Sequence, residues 1–105
     1  MAKPQPVHCT YRIKPGKEDE FLGLLEKHWP TLKKAGLTTN EPAVVLRAKT
    51  REGKTIFFET FSWLDANAPR VAHETPQIMQ VWEPMGALCD DMEFNDYEEV
   101  KMSYA

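Results

Sequence analysis

The chain has 105 residues, of which 42% are hydrophobic and 28% charged, and its formal net charge at pH 7 is −3. This length predicts one domain with a single core, and the composition is that of an ordinary globular protein. The acidic balance, with Lys and Arg scattered among acids, speaks against nucleic-acid binding. The longest purely apolar run is the four residues Ala43 to Leu46, so no segment predicts a membrane span. The first residues lack the apolar stretch of a signal peptide, and we expect a cytoplasmic protein.

The first part of the chain predicts a strand and then a long helix. Apolar residues alternate over 7–13, which is typical of a strand, and Pro15-Gly16 ends it. Acidic residues then open a helix with apolar residues at spacings of three and four. Its buried stripe is Phe21, Leu24, Leu25, His28 and Leu32. Pro30 is expected to bend or split this helix near His28, and Gly36 to cap its end.

A hairpin of two strands follows, over 43–49 and 55–63. The second of them is rich in aromatic and β-branched residues, and both of its faces are apolar over the first half. We therefore expect it in the middle of a sheet, covered on both sides. Glu59 lies on the same face as Phe57, Phe61 and Trp63. Because a buried, unpartnered carboxylate is costly, Glu59 must be paired, hydrogen-bonded or protonated.

The remaining chain predicts two helical segments and a last strand. Asp65 or Asn67 can cap a short helical turn that ends near His73, and Thr75-Pro76 starts a second helix. The apolar face of that helix is Ile78, Met79, Trp82 and Met85. Pro84 is expected to kink or end it and to open space beside Trp82. A strand over 92–97 and a charged tail over 98–105 complete the chain.

The order strand, helix, strand, strand, helix, strand predicts an α+β fold of the ferredoxin-like βαββαβ type. Such a domain has a four-stranded antiparallel sheet with its helices on one face, and its core spans about residues 7–97 of the single domain 1–105. The other face of the sheet needs a cover, since the central strand is apolar on that side too. We therefore predict a homodimer in which the two sheets face each other.

Two cysteines, Cys9 and Cys89, lie far apart in the sequence and form no Cys-x-x-Cys motif. In a reducing compartment such residues are typically free, small and buried. We predict that both are unreactive core residues.

The architecture, the length and two sequence stretches resemble the antibiotic biosynthesis monooxygenase-like group of the dimeric α+β barrel superfamily. The stretches are Tyr11 to Lys17 leading into Glu20-Phe21, and Phe58 to Trp63 followed by an acidic turn. The regions 72–76 and 82–85 look like the second helical region of that group. The resemblance implies a dimer with a pocket between sheet and helices in each subunit. Some members oxidise polyketide-like aromatic molecules with O2 and no cofactor, and many have no assigned activity.

Glu59 and His73 are the predicted catalytic pair, because a short connection joins their elements. A carboxylate that holds an imidazole fixes its tautomer and leaves the other nitrogen free as a general base. The alternative is a structural hydrogen bond that ties helix to sheet. His28, on the apolar stripe, is either a satisfied core residue or part of the site. With Glu59, His73 and Glu74 it offers metal ligands, although no ligand-type spacing supports a metal.

Aromatic and methionine side chains are the predicted lining of a pocket for a flat apolar molecule. The ligand-binding candidates are Trp82, His28, Trp29, Trp63, Met85 and Phe61. The alternative is that these side chains fill the core. Two functions remain open: a cofactor-independent monooxygenase-like enzyme acting on an aromatic or polyketide-like molecule, and a non-catalytic dimer that binds a small ligand or has a structural role.

Overall fold

The computed structural model describes residues 3–104, which form a four-stranded antiparallel sheet with helices on one face. The elements are β1 (Gln5–Ile13), α1 (Glu18–Lys34), β2 (Val44–Lys49), β3 (Thr55–Trp63), α2 (Ala68–His73), α3 (Pro76–Ala87) and β4 (Cys89–Asp96). The sheet order β2-β3-β1-β4 puts β3 and β1 in the middle. This confirms the predicted ferredoxin-like βαββαβ fold, with two helices in the second helical region. Among the described residues, no helix combines the length and apolar character needed to cross a bilayer.

The core lies between the inner face of the sheet and the helices. Tyr11 on β1 is paired with Phe57 on β3, and Cys9 with Glu59. The ring of Phe21 from α1 packs on both Tyr11 and Phe57, at centroid distances of 4.9 and 5.8 Å. Each large apolar side chain buried in this way stabilises the fold by roughly 1.5–3 kcal/mol. The alternation of apolar residues in β1 and β3 therefore fixes which face of the sheet meets the helices.

Helix α1 runs through Pro30 without interruption. Of the two predicted effects of this proline, the split near His28 is wrong and the bend stays a prediction. A proline removes one helical hydrogen bond, but here the buried residues Leu25 and Leu32 anchor the helix on both sides of it. The predicted glycine cap is confirmed. Gly36 has φ +77° and donates to the carbonyl of Lys33, while the next N–H, of Leu37, donates to Leu32. This pair of bonds is the Schellman motif.

The second helical region has its two helices where they were predicted, with α3 starting at Pro76 after Thr75, and it differs in the role of the Thr75 hydroxyl and at Pro84. Oδ1 of Asp65 accepts from the backbone N–H groups of Asn67 and Ala68, so Asp65 caps the start of α2. The Thr75 hydroxyl donates to the carbonyl of Val71 at 2.7 Å and therefore closes α2 instead of capping α3. Helix α3 continues past Pro84 to Ala87, so that proline does not end the helix. The last strand begins earlier than predicted, at Cys89.

The outer face of the sheet carries exposed aliphatic side chains, and none of the helices in residues 3–104 lies on it. Val44 and Leu46 of β2 are 55% and 58% exposed. Leu46 is paired with Phe58 of β3, whose ring lies 5.2 Å from the imidazole of His8 on β1. The apolar outer side of the hairpin is thus as predicted, and within one subunit it lies open to solvent.

Candidate functional site

Glu59 lies in the middle of the sheet, on the inner face of β3, and is 1% exposed. Its Oε1 accepts a hydrogen bond from the hydroxyl of Tyr11 at 2.7 Å. The Nδ1 atom of His28 lies 2.8 Å from Oε1 and 3.1 Å from Oε2. Three elements therefore meet at this carboxylate: β3 carries it, β1 supplies the phenol, and α1 supplies the imidazole.

Trp82 of α3 determines the tautomer of His28. Its indole Nε1–H donates to Nε2 of His28 at 2.8 Å. Because an indole can only donate, Nε2 must be an acceptor, and the single proton of a neutral imidazole lies on Nδ1. Nδ1–H then donates to Glu59. With a neutral His28 and an ionised Glu59, each donor of the four side chains has an acceptor: Tyr11, Glu59, His28 and Trp82 are all hydrogen-bonded. With a protonated imidazole, the Nε2–H of His28 would face the indole N–H of Trp82.

The carboxylate raises the pKa values of its buried neighbours. Burial, and next the charge of Glu59, raise the pKa of Tyr11 far above its usual value. The same two causes raise the pKa of the Cys9 thiol to about 12. Burial, together with Asp90, raises the pKa of Cys89 to about 11. At neutral pH, Tyr11 is therefore a hydrogen-bond donor and both cysteines are protonated thiols, which fits the prediction that they are unreactive.

The predicted hydrogen bond between Glu59 and His73 is wrong. His73 ends the short helix α2, is exposed, and packs its ring edge-on against Trp82 at 4.8 Å. Helix α1 packs over the central strands, and its His28, not His73, is hydrogen-bonded to Glu59. A sequence signal for this pairing existed, because His28 and Glu59 are the polar members of two facing apolar stripes. Tyr11, the third member, carried no such signal, since its ring fits an apolar stripe as well.

Four of the six predicted ligand-binding residues lie together. The ring of Phe61 is 5.8 Å from that of His28 and 5.0 Å from that of Trp63, which in turn contacts Trp82 at 6.4 Å. Phe61 and Trp63 are buried and Trp82 is half-buried. An aromatic cluster thus extends from the core at Phe61 to the surface at Trp82. The ligand-binding role of these residues stays a prediction.

The other two candidates, Met85 and Trp29, take no part in these aromatic contacts. Met85 is buried in the core. Trp29 is half-buried, and among residues 3–104 its indole N–H is buried without a hydrogen-bond partner. No group of three or more His, Cys, Asp or Glu in the described part of the chain is arranged to hold a metal ion.

An open groove of about 680 Å³ runs between α1 and α3. Its lining includes Leu24, Lys27 and Thr31 of α1 and Gln77, Gln80 and Val81 of α3. None of the residues around Glu59 contributes to it. The groove is therefore separate from the buried hydrogen-bond chain.

Comparisons with known proteins relate the chain to a fold. No protein-family model and no curated protein matches the sequence. One similar solved structure is a mutant of SnoaB, a cofactor-independent oxygenase from Streptomyces nogalater. The two sequences are 15% identical and the TM-score is 0.71, and the match covers 96% of this chain and 97% of SnoaB. The protein PA3566 from Pseudomonas aeruginosa is 13% identical with a TM-score of 0.73, and the match covers 96% of this chain and 98% of PA3566.

A structure described as an antibiotic biosynthesis monooxygenase is 17% identical with a TM-score of 0.69, over 92% of this chain and 99% of that one. Identities this low relate folds and not activities. The chain therefore has the ferredoxin-like α+β fold of the antibiotic biosynthesis monooxygenase-like structures, as the sequence resemblance predicted.

Proposed function

We propose that the protein is a monooxygenase-like enzyme that uses no cofactor and acts on a flat, hydroxylated aromatic or polyketide-like molecule. The observation that carries the proposal is the hydrogen bond from Trp82 to Nε2 of His28. Nδ1 of the same imidazole is held by the buried carboxylate of Glu59. Nε2 is thus the basic atom of an oriented imidazole, and its hydrogen-bond donor is the indole of the half-buried Trp82.

In the proposed reaction, a phenolic or enolic hydroxyl replaces the indole N–H at Nε2. His28 accepts the hydroxyl proton, and the ionised Glu59 stabilises the imidazolium that forms. The aromatic side chains of Phe61, Trp63 and Trp82 supply an apolar surface for the rings of the substrate. The base in this proposal is His28, with Glu59 as the orienting residue, and His73 packs against Trp82.

Loss of the proton makes the substrate electron-rich enough to reduce O2. The reacting carbon is a CH2 group in the keto form of the substrate and a CH group in the enolate. The enolate gives one electron to O2, the carbon radical and superoxide combine, and the peroxide anion takes the proton of the His28 imidazolium to become a hydroperoxide. Loss of water then leaves a carbonyl group. The substrate has lost two hydrogens, one oxygen atom of O2 has entered the product, and the other has left as water. The balance requires only substrate and O2.

The fold supports the proposal, since the same fold serves SnoaB, which is described as a cofactor-independent oxygenase. The complete hydrogen bonding of the site also fits an enzyme without bound substrate. Every polar atom of the Glu59 site is hydrogen-bonded until a ligand displaces the indole, so the buried charge is stable without substrate.

The proposal includes a homodimer formed through the outer face of the sheet. The exposed Val44 and Leu46, with the half-buried Phe58, form an apolar surface of the kind that a second sheet covers. Sedimentation of Phe58→Lys should show monomers where the unmodified chain shows dimers. Val71→Lys, at an exposed aliphatic position on α2, is the matched control and should sediment like the parent. A monomeric parent at micromolar concentration would overturn this part.

The test of the activity is oxygen uptake with anthrones and other enolisable aromatic ketones that carry a ring CH2 group. We expect His28→Gln to abolish uptake and Trp82→Phe to change KM, while His73→Gln retains turnover. Circular dichroism establishes that each variant is folded, and quenching of tryptophan fluorescence measures binding separately. Uptake that depends on His73 but survives in a folded His28→Gln variant would overturn the assignment of the base.

A non-catalytic role is the second candidate, and one observation favours it. His28 and Glu59 are 3% and 1% exposed and fully hydrogen-bonded, as a structural link between α1, β1, β3 and α3 would be. A binding module would give saturable fluorescence quenching without oxygen uptake. Turnover with a bell-shaped pH profile would exclude this alternative.

A further inference from the structure

Tyr11 belongs to the Glu59 site but has no part in the reaction proposed above. It is fully buried, and its hydroxyl donates to Oε1 of Glu59 at 2.7 Å. The ring is packed on two sides, by Phe21 at a centroid distance of 4.9 Å and by Phe94 edge-on at 6.1 Å. Because a protein core packs closely around such a ring, the place of its hydroxyl is fixed. The phenol therefore holds Oε1 in one position.

Two donors share the charge of one oxygen of this carboxylate. Nδ1 of His28 lies 2.8 Å from Oε1, the oxygen that also accepts from Tyr11, and 3.1 Å from Oε2. No third group among residues 3–104 donates to Glu59. Each hydrogen bond draws on the charge of the oxygen, so the phenol weakens the attraction of Glu59 for a proton on the imidazole. The strength of the Tyr11 bond therefore affects how readily His28 takes a second ring proton.

A base that acts at neutral pH must be unprotonated before the substrate binds. An ionised carboxylate beside an imidazole favours the imidazolium, whereas burial favours the neutral ring. The phenol acts in the same direction as burial, because it takes up part of the charge that would stabilise an imidazolium. Burial, and next the charge of Glu59, raise the pKa of Tyr11 far above its usual value. The phenol is therefore a donor throughout the neutral pH range.

We propose that Tyr11 is a positioning residue that keeps His28 neutral and able to accept a proton from the substrate. This inference rests on the proposed function, in which His28 is the base. Tyr11 touches no reacting atom and acts through Glu59. The register of the sheet places it there, since Cys9 of β1 lies opposite Glu59 and Tyr11 is the next residue on the same face.

Other titratable or charged groups around the hydrogen-bonded pair of His28 and Glu59 are the same in every variant compared below. They are Cys9, opposite Glu59 on β1, Arg47 of β2, over the ring of Phe57, and His73 of α2, against Trp82. The Cys9 thiol is uncharged at neutral pH, since its pKa is raised to about 12. A difference between variants at Tyr11 therefore reports the bond from the phenol.

The first test follows proton uptake by His28 in nitrogen-15 spectra recorded without substrate, with the His28 signals identified as those that His28→Gln removes. In Tyr11→Phe, Oε1 loses the phenol, so we expect the midpoint of proton uptake to rise by about one pH unit. A ring-fluorinated tyrosine at position 11 is a stronger donor and should lower the midpoint. The same replacement at Tyr97, which is 46% exposed, is the matched control and should leave it unchanged.

The fluorinated chain keeps the test decisive where Tyr11→Phe fails to fold, because fluorine changes the size of the ring little. A purely structural Tyr11 would not respond to the acidity of its phenol. A midpoint that stays unchanged with the fluorinated ring, or that rises, would overturn the proposal for Tyr11 whether or not the chain consumes oxygen.

The second test is the pH profile of oxygen uptake, whose acidic limb reports the neutral form of the base. We expect that limb to move to higher pH in Tyr11→Phe and to lower pH with the fluorinated ring. A limb that stays in place in both chains while the midpoint moves would overturn the role of Tyr11 in the reaction. A chain that consumes no oxygen but whose midpoint moves as expected would overturn the proposed function and support the control of His28 by Tyr11. The two failures are therefore distinguishable.

Discussion

The indole N–H of Trp82 donates to Nε2 of His28 at 2.8 Å, and this bond connects the half-buried surface of α3 with the most deeply buried charge of the domain. It makes Nε2 an acceptor, which leaves the ring proton on Nδ1, where it donates to Glu59. The part-buried indole and the buried carboxylate thus favour the same tautomer of His28. Replacement of the indole by a substrate hydroxyl would keep that tautomer.

Trp82→Phe removes the donor to His28 and should lower the free energy of unfolding by about 1 kcal/mol beyond the loss of packing. Trp29→Phe is the matched control, because the indole N–H of Trp29 has no partner among the described residues. Urea unfolding measures both, and we expect the greater loss at Trp82. Nitrogen-15 spectra of His28 at pH 7 should show the Nδ1–H tautomer in the parent and in Trp29→Phe. A parent protein in which the ring proton lies on Nε2 would contradict the assignment.

Glu59→Gln should be among the more destabilising single substitutions in the chain. The amide of glutamine can accept from Tyr11 or His28, but its own N–H groups then face a donor. We expect a loss of roughly 1–3 kcal/mol in the free energy of unfolding, since a buried polar group is left unsatisfied. Glu83→Gln, exposed on α3, should change it by less than about 0.5 kcal/mol. Equal effects at the two positions would contradict the buried network.

Alkaline pH should destabilise the fold through Cys9. Its folded pKa is raised from 9.0 to about 12, so the native state holds a proton that the unfolded chain releases above about pH 9. The Cys9 thiol therefore makes its full contribution to the free energy of unfolding below pH 9. This contribution falls as the pH rises above 9, by at most about 1.4 kcal/mol per pH unit. Cys9→Ala should show a shallower decline between pH 9 and 11. Chemical denaturation at each pH measures the slopes, and parallel slopes would contradict this prediction.

Gly23 within α1 and Gly36, which follows the end of that helix, should change the free energy of unfolding in opposite directions when replaced by alanine. Gly36 has φ +77°, which alanine adopts only with strain, whereas Gly23 lies in the helix interior. An added Cβ meets no atom within 4 Å at either position, so backbone conformation alone decides. We expect Gly36→Ala to destabilise by about 1 kcal/mol and Gly23→Ala to stabilise by about 0.5–1 kcal/mol. Thermal unfolding compares them, and equal signs would contradict the Schellman cap.

The sequence was most informative where a local pattern decides the structure. The period of two over 55–63 predicted strand β3 with its observed ends, because burial of one face selects one register. Gly36 predicted the end of α1 for a similarly local reason. The prolines were less informative. Pro30 and Pro84 both lie within continuous helices, since packing on either side compensates for one missing hydrogen bond.

The sequence by itself determined that Glu59 would be buried and would need a partner, because it stands among aromatic residues on a central strand. Only the tertiary structure decided which partner it has. His28 and His73 are both compatible with the order of the elements, and the choice depends on how α1 lies across the sheet. Pairing between distant segments follows from the packing of whole elements, which a local pattern does not contain. For the same reason, the sequence predicted an aromatic cluster but not that Trp82 would cover the imidazole.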